Sequence, residues 1–463
     1  MNAPHLTCPD PSDRPDLWPW SARRHDGVLH IGGLLATDIA HQWGTPIYVL
    51  DEGDLEGRAL TWVSAMAEEF WDGYGMGGGS AYFAAKAFMS AGVIHTVTAA
   101  GMGVDTASLG ELTCALEAGA DPDRIGLHGN NKSDDEIRLA ISAGERGIGR
   151  IVIDAPAEVE RIATIARQLG RRARVMIRVT TGVHAGGHDF IATAHEDQKF
   201  GLSLVSGAAY RVARAVCETE ELDFVGLHSH IGSQIFDLEA FTESASRLMG
   251  LAKQLAAEGI ECREVDLGGG YAITYTAADP VPPTQKEVAR SLATAVREAC
   301  ARHNLKVPHI SIEPGRSTIG PTTVTLYRVG TVKRVPIDEG ERLYVSVDGG
   351  MSDNIRPALY NAKYCVTLAN RAPTGPTALS RIVGKHCESG DIIIADTLLP
   401  ADVAPGDLLA VPATGAYGHA MSSNYNMLTR PGTLAVRDGE ARWLIYPETV
   451  SDLLDRDATL NPQ

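Results

Sequence analysis

The sequence predicts an α/β chain: a (β/α)8 TIM-type barrel, then an antiparallel β-domain that an N-terminal strand segment completes. Three observations predict it. Eight short apolar runs between residues 80 and 316 each end in a polar or glycine-rich cluster, with an amphipathic stretch before the next. Residues 321–447 read instead as short strands broken by turn signals. At 463 residues the chain is also too long for one typical core, so two domains are expected.

The eight strand cores are YFAAKA (82–87), GVDTAS (103–108), RIGLHGN (124–130), RIVIDAP (150–156), ARVMIRVT (173–180), FVGLHSHIG (224–232), EVDLGGGY (264–271) and HISIEPGR (309–316). Helix-compatible runs such as LGELTCALEAGA and DDEIRLAISAGERG lie between them. Residues 1–25, rich in Pro and Asp, read as a mobile tail. GVLHIGGL and TPIYVLD give residues 26–54 as the N-terminal segment of the β-domain. The barrel is expected over 55–320 and the C-terminal β-domain over 321–463.

Composition narrows the class. Hydrophobic residues make up 44% of the chain and charged residues 21%, as in globular proteins. A net charge of −17 offers no basic surplus for nucleic acid or an anionic membrane. No apolar run reaches the ~18 residues a membrane span needs, and no signal-peptide pattern opens the chain. The seven cysteines are scattered, without a C-x-x-C pair. That pattern suits a reducing cytoplasm, small buried thiols and no metal site.

The polar clusters fall at the C-terminal ends of the strands, where barrel enzymes build their sites. On the first strand that position holds Lys86, flanked by small or apolar residues. A lysine so placed either snorkels to solvent or is used. LGGGY, with Gly268, Gly269 and Gly270, is either a tight turn or a run of backbone N–H groups open to a phosphate. HSHIGSQ places His228 and His230 two apart, as core histidines or as rings that stack on a planar group; no third metal-type ligand stands at a recognisable spacing. EPGR (Glu313, Pro314, Gly315, Arg316) is either a local ion pair or, if buried, a carboxylate able to keep a pyridine nitrogen protonated. A lysine, a phosphate cradle, a stacking ring and a pyridinium partner together describe pyridoxal 5′-phosphate (PLP) held covalently on lysine.

These segments carry a resemblance that runs through nearly the whole chain from about residue 35. YFAAKA, GVDTASLGEL, HGNNKS, HEDQKFG, HSHIGSQ, DLGGGYAITY, EPGR, VDGGMSDNIRPALYNAKY, GKHCESGD and TGAYGHAMSSNYN resemble the diaminopimelate decarboxylase family, among the alanine-racemase-like (fold type III) PLP enzymes. HGNNKS, HEDQKFG and CESGD together separate that family from the racemases. The resemblance implies that Lys86 carries the cofactor and that His230 stacks on its ring. Ser233, residues 268–270 and Arg316 would hold the phosphate, and Glu313, followed by Pro314 and Gly315, would pair with the ring nitrogen. It further implies that Arg356, Tyr360 and Arg316 bind the substrate's distal carboxylate and Glu388 its distal ammonium. Tyr417 would line cofactor and substrate, and Cys387 would protonate the carbanion.

The implied reaction converts meso-2,6-diaminopimelate to L-lysine and carbon dioxide, the last step of bacterial lysine synthesis. It would take place in a cytoplasmic homodimer whose CESGD loops reach the neighbouring subunit's site. Small departures from the family pattern occur in GHAMSSNYN and GVHAGGHDF. The alternatives are a decarboxylase of ornithine, lysine, arginine or carboxynorspermidine on the same scaffold, or a silent PLP-binding homologue. Arg356 and Tyr360 speak against the first, and the presence of Lys86, Cys387 and Glu388 against the second.

Overall fold

A computed structural model of the chain describes residues 6–183, 198–338 and 340–461. Most of GVHAGGHDF and the start of HEDQKFG lie outside the described residues. The chain divides into two compact units. One holds Arg58–Ala272 and Pro283–Gly315; the other takes in the chain up to Gly57, Ile273–Pro282 and everything from Arg316 on.

The first unit is the barrel. Its strands are β1 (Gly79–Ala84), β2 (Gly103–Thr106), β3 (Ile125–Leu127), β4 (Arg150–Ile153), β5 (Ala173–Thr180), β6 (Leu222–His228), β7 (Glu264–Asp266) and β8 (His309–Ile312). Each pairs in parallel with the next, and β8 closes onto β1 with Ile310 opposite Gly79. A two-residue strand, Leu202–Ser203, adds to β5. Strands β2, β3 and β4 are buried at every position, as parallel strands covered on both faces should be.

Helix starts are written locally. Ser90 caps Ala91–Ala99 by accepting from the Val93 N–H, and Ser108 caps Leu109–Glu117 from Glu111. Ser133 with Glu136 and Thr284 with Glu287 form full capping boxes. Each such cap is worth about 1 kcal/mol.

Arg150, Asp105, Glu264 and Asp266 form a charged cluster inside the barrel. The buried Arg150 guanidinium sits 3.6 Å over the Tyr82 ring centroid. It reaches Asp266 at 2.6 Å, Glu264 at 2.7 Å and Asp105 at 3.4 Å. Isolated charges at that depth would be prohibitive, so the cluster persists only as a paired set.

In the second unit Thr323–Ile337 is the long central strand. Ile47–Asp51 pairs antiparallel with it and parallel with Thr433–Arg437, so the N-terminal segment sits inside the sheet. Gly340–Val347 runs parallel to Thr377–Val383. These two parallel pairings correct the purely antiparallel expectation, because hydrophobic alternation records a strand's faces but not its direction.

Three further expectations need correction. Residues 6–25 are packed, not loose: Leu17 and Trp18 are fully buried, and the Trp18 indole donates to the Pro9 carbonyl at 3.0 Å. Arg24 donates to the Leu368 carbonyl at 2.6 Å. Two large apolar side chains outweigh the polar composition around them. The barrel also begins at Arg58 and gives up Ile273–Pro282, and the unit boundary falls inside EPGR, between Gly315 and Arg316. Finally, Cys8 and Cys365 form a disulfide across 357 residues with Cα atoms 5.0 Å apart, while Cys217 and Cys387 are exposed. The picture of unpaired, mostly buried thiols therefore fails; a pairing over that separation leaves no trace in spacing.

Candidate active site

Strand β1 ends at Ala84, three residues before the end of the strand core expected over 82–87. Lys86 stands in a tight 3-10 turn, Ala85–Ala87, whose two alanines are buried while Lys86 is exposed. Gly315 forms the seat of that turn. A Cβ at Gly315 would lie 2.9 Å from both the Ala84 carbonyl and its Cβ, so only glycine lets the chain after β8 nest against the lysine turn.

Past β7 the backbone of residues 268–270 folds tightly onto its neighbours. A Cβ at Gly268 would meet the Ser229 carbonyl at 2.4 Å, one at Gly269 the Glu313 carbonyl at 2.2 Å, and one at Gly270 the Gly232 carbonyl at 2.2 Å. Gly268 and Gly270 also carry φ of +70° and +111°. Two of the N–H groups expected to be open are engaged: Gly268 donates to Asp266 Oδ1 at 2.7 Å, and Gly269 to His230 Nδ1 at 3.3 Å. The Gly270 N–H takes part in neither bond. The cradle therefore owes its form chiefly to close backbone approach.

His230 lies beyond the end of β6, half-buried, with Nδ1 fixed as an acceptor by Gly269. Burial, and then the nearby Lys86 ammonium, push its pKa down to about 3, so the ring is neutral. Ser233 follows on the same loop and is exposed. His228, the last residue of β6, points inward and is buried.

Glu313 is buried just past β8. Its Oε1 lies 3.0 Å from His228 Nε2 and 3.2 Å from His128 Nε2. Burial would raise this carboxyl, but the two imidazoles hold it well below the usual carboxylate range. His128 Nε2 is also 3.3 Å from Asp105 Oδ1. Burial lowers the His128 pKa, yet Glu313 and Asp105 more than reverse this and raise it to about 9. Burial takes His228 down to about 4 in spite of Glu313. Among the described residues His128, His228 and Glu313 bring three donor atoms of metal-ligating type within 4.8 Å, a grouping the sequence spacing did not reveal. With a cationic His128 between two carboxylates, the charge balance is that of an ion-pair network.

The other expected residues belong to the β-unit. Arg356 opens the short helix Arg356–Tyr360 and is buried. Its guanidinium donates to the Tyr364 hydroxyl and lies 4.9 Å over the Tyr275 ring centroid. Asp353 braces the preceding loop by accepting from Gly350 N–H at 2.8 Å and from the Tyr327 hydroxyl. Tyr360, the last residue of the same helix, is 61% exposed. Arg316 donates to the Tyr275 hydroxyl and sits 4.8 Å over the Tyr417 ring.

Cys387 and Glu388 lie exposed on a loop tied down by its neighbours. Asp391 accepts from His386 Nδ1 at 2.9 Å and from the Met351 N–H at 2.6 Å, joining this loop to the one that precedes Arg356. The Cys387 N–H donates to Asn426, and the Glu388 carboxylate accepts from the Gly390 N–H at 3.1 Å.

Sequence reasoning gave no role to His128, Asp105, Arg150, Asp266, Tyr275 or Asp391. A signal existed for the strand residues: a charge inside an otherwise apolar parallel strand must point into the barrel and find a partner.

Comparison with known proteins places the chain in a family. Residues 62–320 match the family model described as pyridoxal-dependent decarboxylase, pyridoxal binding domain. Diaminopimelate decarboxylase of Mycobacterium tuberculosis is 46% identical over 447 residues, covering 95% of this chain and 97% of the relative. That of Bacillus subtilis is 41% identical over 438 residues, with 94% and 97% covered. The crystal structure of diaminopimelate decarboxylase from M. jannaschii in complex with L-lysine superposes with a TM-score of 0.87 at 31% identity, covering 94% of this chain and 97% of that one. Lysine/ornithine decarboxylase of Vibrio vulnificus, at 21% identity and a TM-score of 0.71, shares the fold. By sequence over nearly its full length and by architecture, the chain belongs to the pyridoxal-dependent decarboxylases, in the diaminopimelate decarboxylase family.

Proposed function

We propose that this chain removes one carboxylate of meso-2,6-diaminopimelate, releasing carbon dioxide and L-lysine, with PLP held at the C-terminal end of its barrel. The observation that carries the reading is the joint packing of three segments. Gly315 seats the Lys86 turn, and Gly269 packs on Glu313 while its N–H holds His230. An amine, a neutral ring, an ionised carboxylate and a side-chain-free backbone loop thus share one barrel end, as PLP requires.

When bound, PLP supplies the electron sink for the pair left as the Cα–carboxylate bond breaks. Lys86 would hold the cofactor covalently and release it to the substrate amine. Glu313, followed by Pro314 and Gly315, would accept the ring N–H. His230 would offer a neutral face to the ring. The backbone at residues 268–270, Ser233 and Arg316 would bind the phosphate, and Tyr417 would line the pocket.

Arg356, oriented by Tyr364 and Tyr275, would fix the distal carboxylate with Tyr360, and Glu388 the distal ammonium. This remote binding orients the scissile bond. Cys387 would give its thiol proton to Cα, replacing the carboxylate that departs as carbon dioxide.

A homodimer accompanies this reading. Cys387, Glu388, Tyr360, Leu359, Tyr425 and Met427 are all exposed on the β-unit. A second copy of the chain would cover them and place the Cys387 loop at its own barrel. Cytoplasmic location remains part of the proposal; thiol alkylation in intact cells should then find Cys8 and Cys365 reduced.

The deciding experiment is product analysis with meso-diaminopimelate, ornithine, arginine and lysine in parallel. L-Lysine and carbon dioxide from diaminopimelate alone support the reading. A diamine from any of the others, with no product from diaminopimelate, overturns it.

A further inference from the structure

The barrel interior holds a continuous chain of alternating charge that ends at Glu313. Asp266 and Glu264 flank the buried Arg150, Arg150 reaches Asp105, Asp105 reaches His128, and His128 reaches Glu313. Ser311 donates to Glu264 at 2.6 Å and to Asp266 at 3.0 Å, closing the lower end. At the upper end the same His128 nitrogen, Nε2, serves two carboxylates, at 3.3 Å and 3.2 Å. The contacts of His128 and His228 with Glu313 are both made at Oε1, at 3.2 Å and 3.0 Å. The two imidazoles meet edge to face, with centroids 5.0 Å apart.

We propose that His128 is a positioning residue for Glu313: wedged between Asp105 and Glu313, it keeps the Glu313 carboxylate ionised and, with His228, occupies Oε1 so that Oε2 serves a protonated ring nitrogen. The proposal rests on the PLP reading given above. Its physical basis is charge. Asp105 and Glu313 each lie within 3.3 Å of one nitrogen, so without a cation between them two buried carboxylates would face each other and one would take up a proton. A protonated Glu313 would compete as a donor with the ring N–H instead of accepting from it. His228 cannot substitute, since burial keeps it neutral near pH 7. The charged and titratable groups facing this corner are Asp105 from β2, Arg178 from β5, His228 from β6, Glu313 after β8, Glu111 and Lys86. Of these only Asp105 and Glu313 lie at ion-pair distance from His128.

The test uses PLP labelled with 15N in the ring, bound to the full-length protein. The ring-nitrogen chemical shift reports whether that atom carries a proton, and a merely structural residue would not move it. Wild type should show a protonated ring nitrogen at pH 7.5. His128→Gln should bind PLP at least tenfold more weakly and show the unprotonated shift. His128→Lys, which restores a cation, should recover the protonated signal at least in part. Glu313→Gln should lose it, and adding His128→Gln to that variant should change nothing more.

A protonated shift in His128→Gln, with wild-type PLP affinity, overturns the proposal while leaving the PLP reading intact. Failure of wild type to bind PLP at all overturns both. Should His128→Gln not fold, titration of wild type decides: the ring proton should be lost as His128 deprotonates near pH 9, and a signal unchanged to pH 10 refutes the role.

Discussion

Substituting glycine by alanine at two positions of the barrel unit should have opposite effects. At Gly269 the new Cβ would stand 2.2 Å from the Glu313 carbonyl oxygen and 3.1 Å from its carbon, both backbone atoms with little room to yield. An ordinary contact is longer, so the loop or the start of EPGR must move by roughly 1 Å. Overpacking of this kind costs about 1–3 kcal/mol. Because the displaced segments carry His230 and Glu313, much of the cost should fall on cofactor binding, a loss of about tenfold to a hundredfold in PLP affinity. Gly250 lies inside the helix Glu239–Ala256 with nothing within 4 Å of a Cβ. There alanine removes only backbone freedom from the unfolded chain and should stabilise by about 0.5–1 kcal/mol. Calorimetric melting of the cofactor-free protein and PLP titration followed by fluorescence would measure both. Gly269→Ala should melt lower and bind PLP weakly; Gly250→Ala should melt about 1–4 °C higher with unchanged affinity. Equal PLP affinity in the Gly269→Ala variant and wild type would falsify the close-approach account of the cradle.

Lys86→Ala should abolish turnover and the absorbance band of lysine-bound PLP but leave the melting temperature of the cofactor-free protein unchanged, since the side chain is exposed; retained turnover would remove Lys86 from the chemistry. Cys387→Ala should keep bound PLP and lose most turnover, and an unaltered rate would exclude it as the acid. For pH, His228 and His230 are neutral when folded, at about 4 and about 3, against roughly 6.5 unfolded. Below pH 6.5 the unfolded chain therefore binds more protons, and stability should fall by up to ~1.4 kcal/mol per pH unit for each histidine. His128, raised to about 9, acts on the alkaline side: its contribution is full below pH 6.5 and is lost as pH rises through 9. Guanidinium midpoints measured from pH 4.5 to 9.5 should peak near neutrality, and a flat profile would contradict these assignments. Reduction of the Cys8–Cys365 disulfide should lower stability by about 2–4 kcal/mol. A Cys8→Ser variant should melt at that lower temperature with or without reductant; a wild-type melt indifferent to reductant would show that the bond contributes nothing.

Much of the fold was legible because its signals are local. Each barrel strand is a short apolar run with a polar end, and each helix start carries its own cap, so eight strand–helix units can be counted from the chain. Lys86, Glu313 and residues 268–270 were legible for the same reason: a lysine, an acid or three glycines at a strand end is unusual wherever the strand lies. Only tertiary structure decided the partners. Asp105, Arg150, Glu264 and Asp266 sit on three strands up to 161 residues apart, and they meet because closing the barrel turns one face of every strand inward. His128 became a cation only by standing between Asp105 on β2 and Glu313 just past β8. Leu17 and Trp18 were buried, and Cys8 was joined to Cys365, by surfaces formed hundreds of residues downstream. Periodicity and capping are properties of a window of chain, whereas the charge of a buried group is set by whatever the fold places within a few ångströms of it.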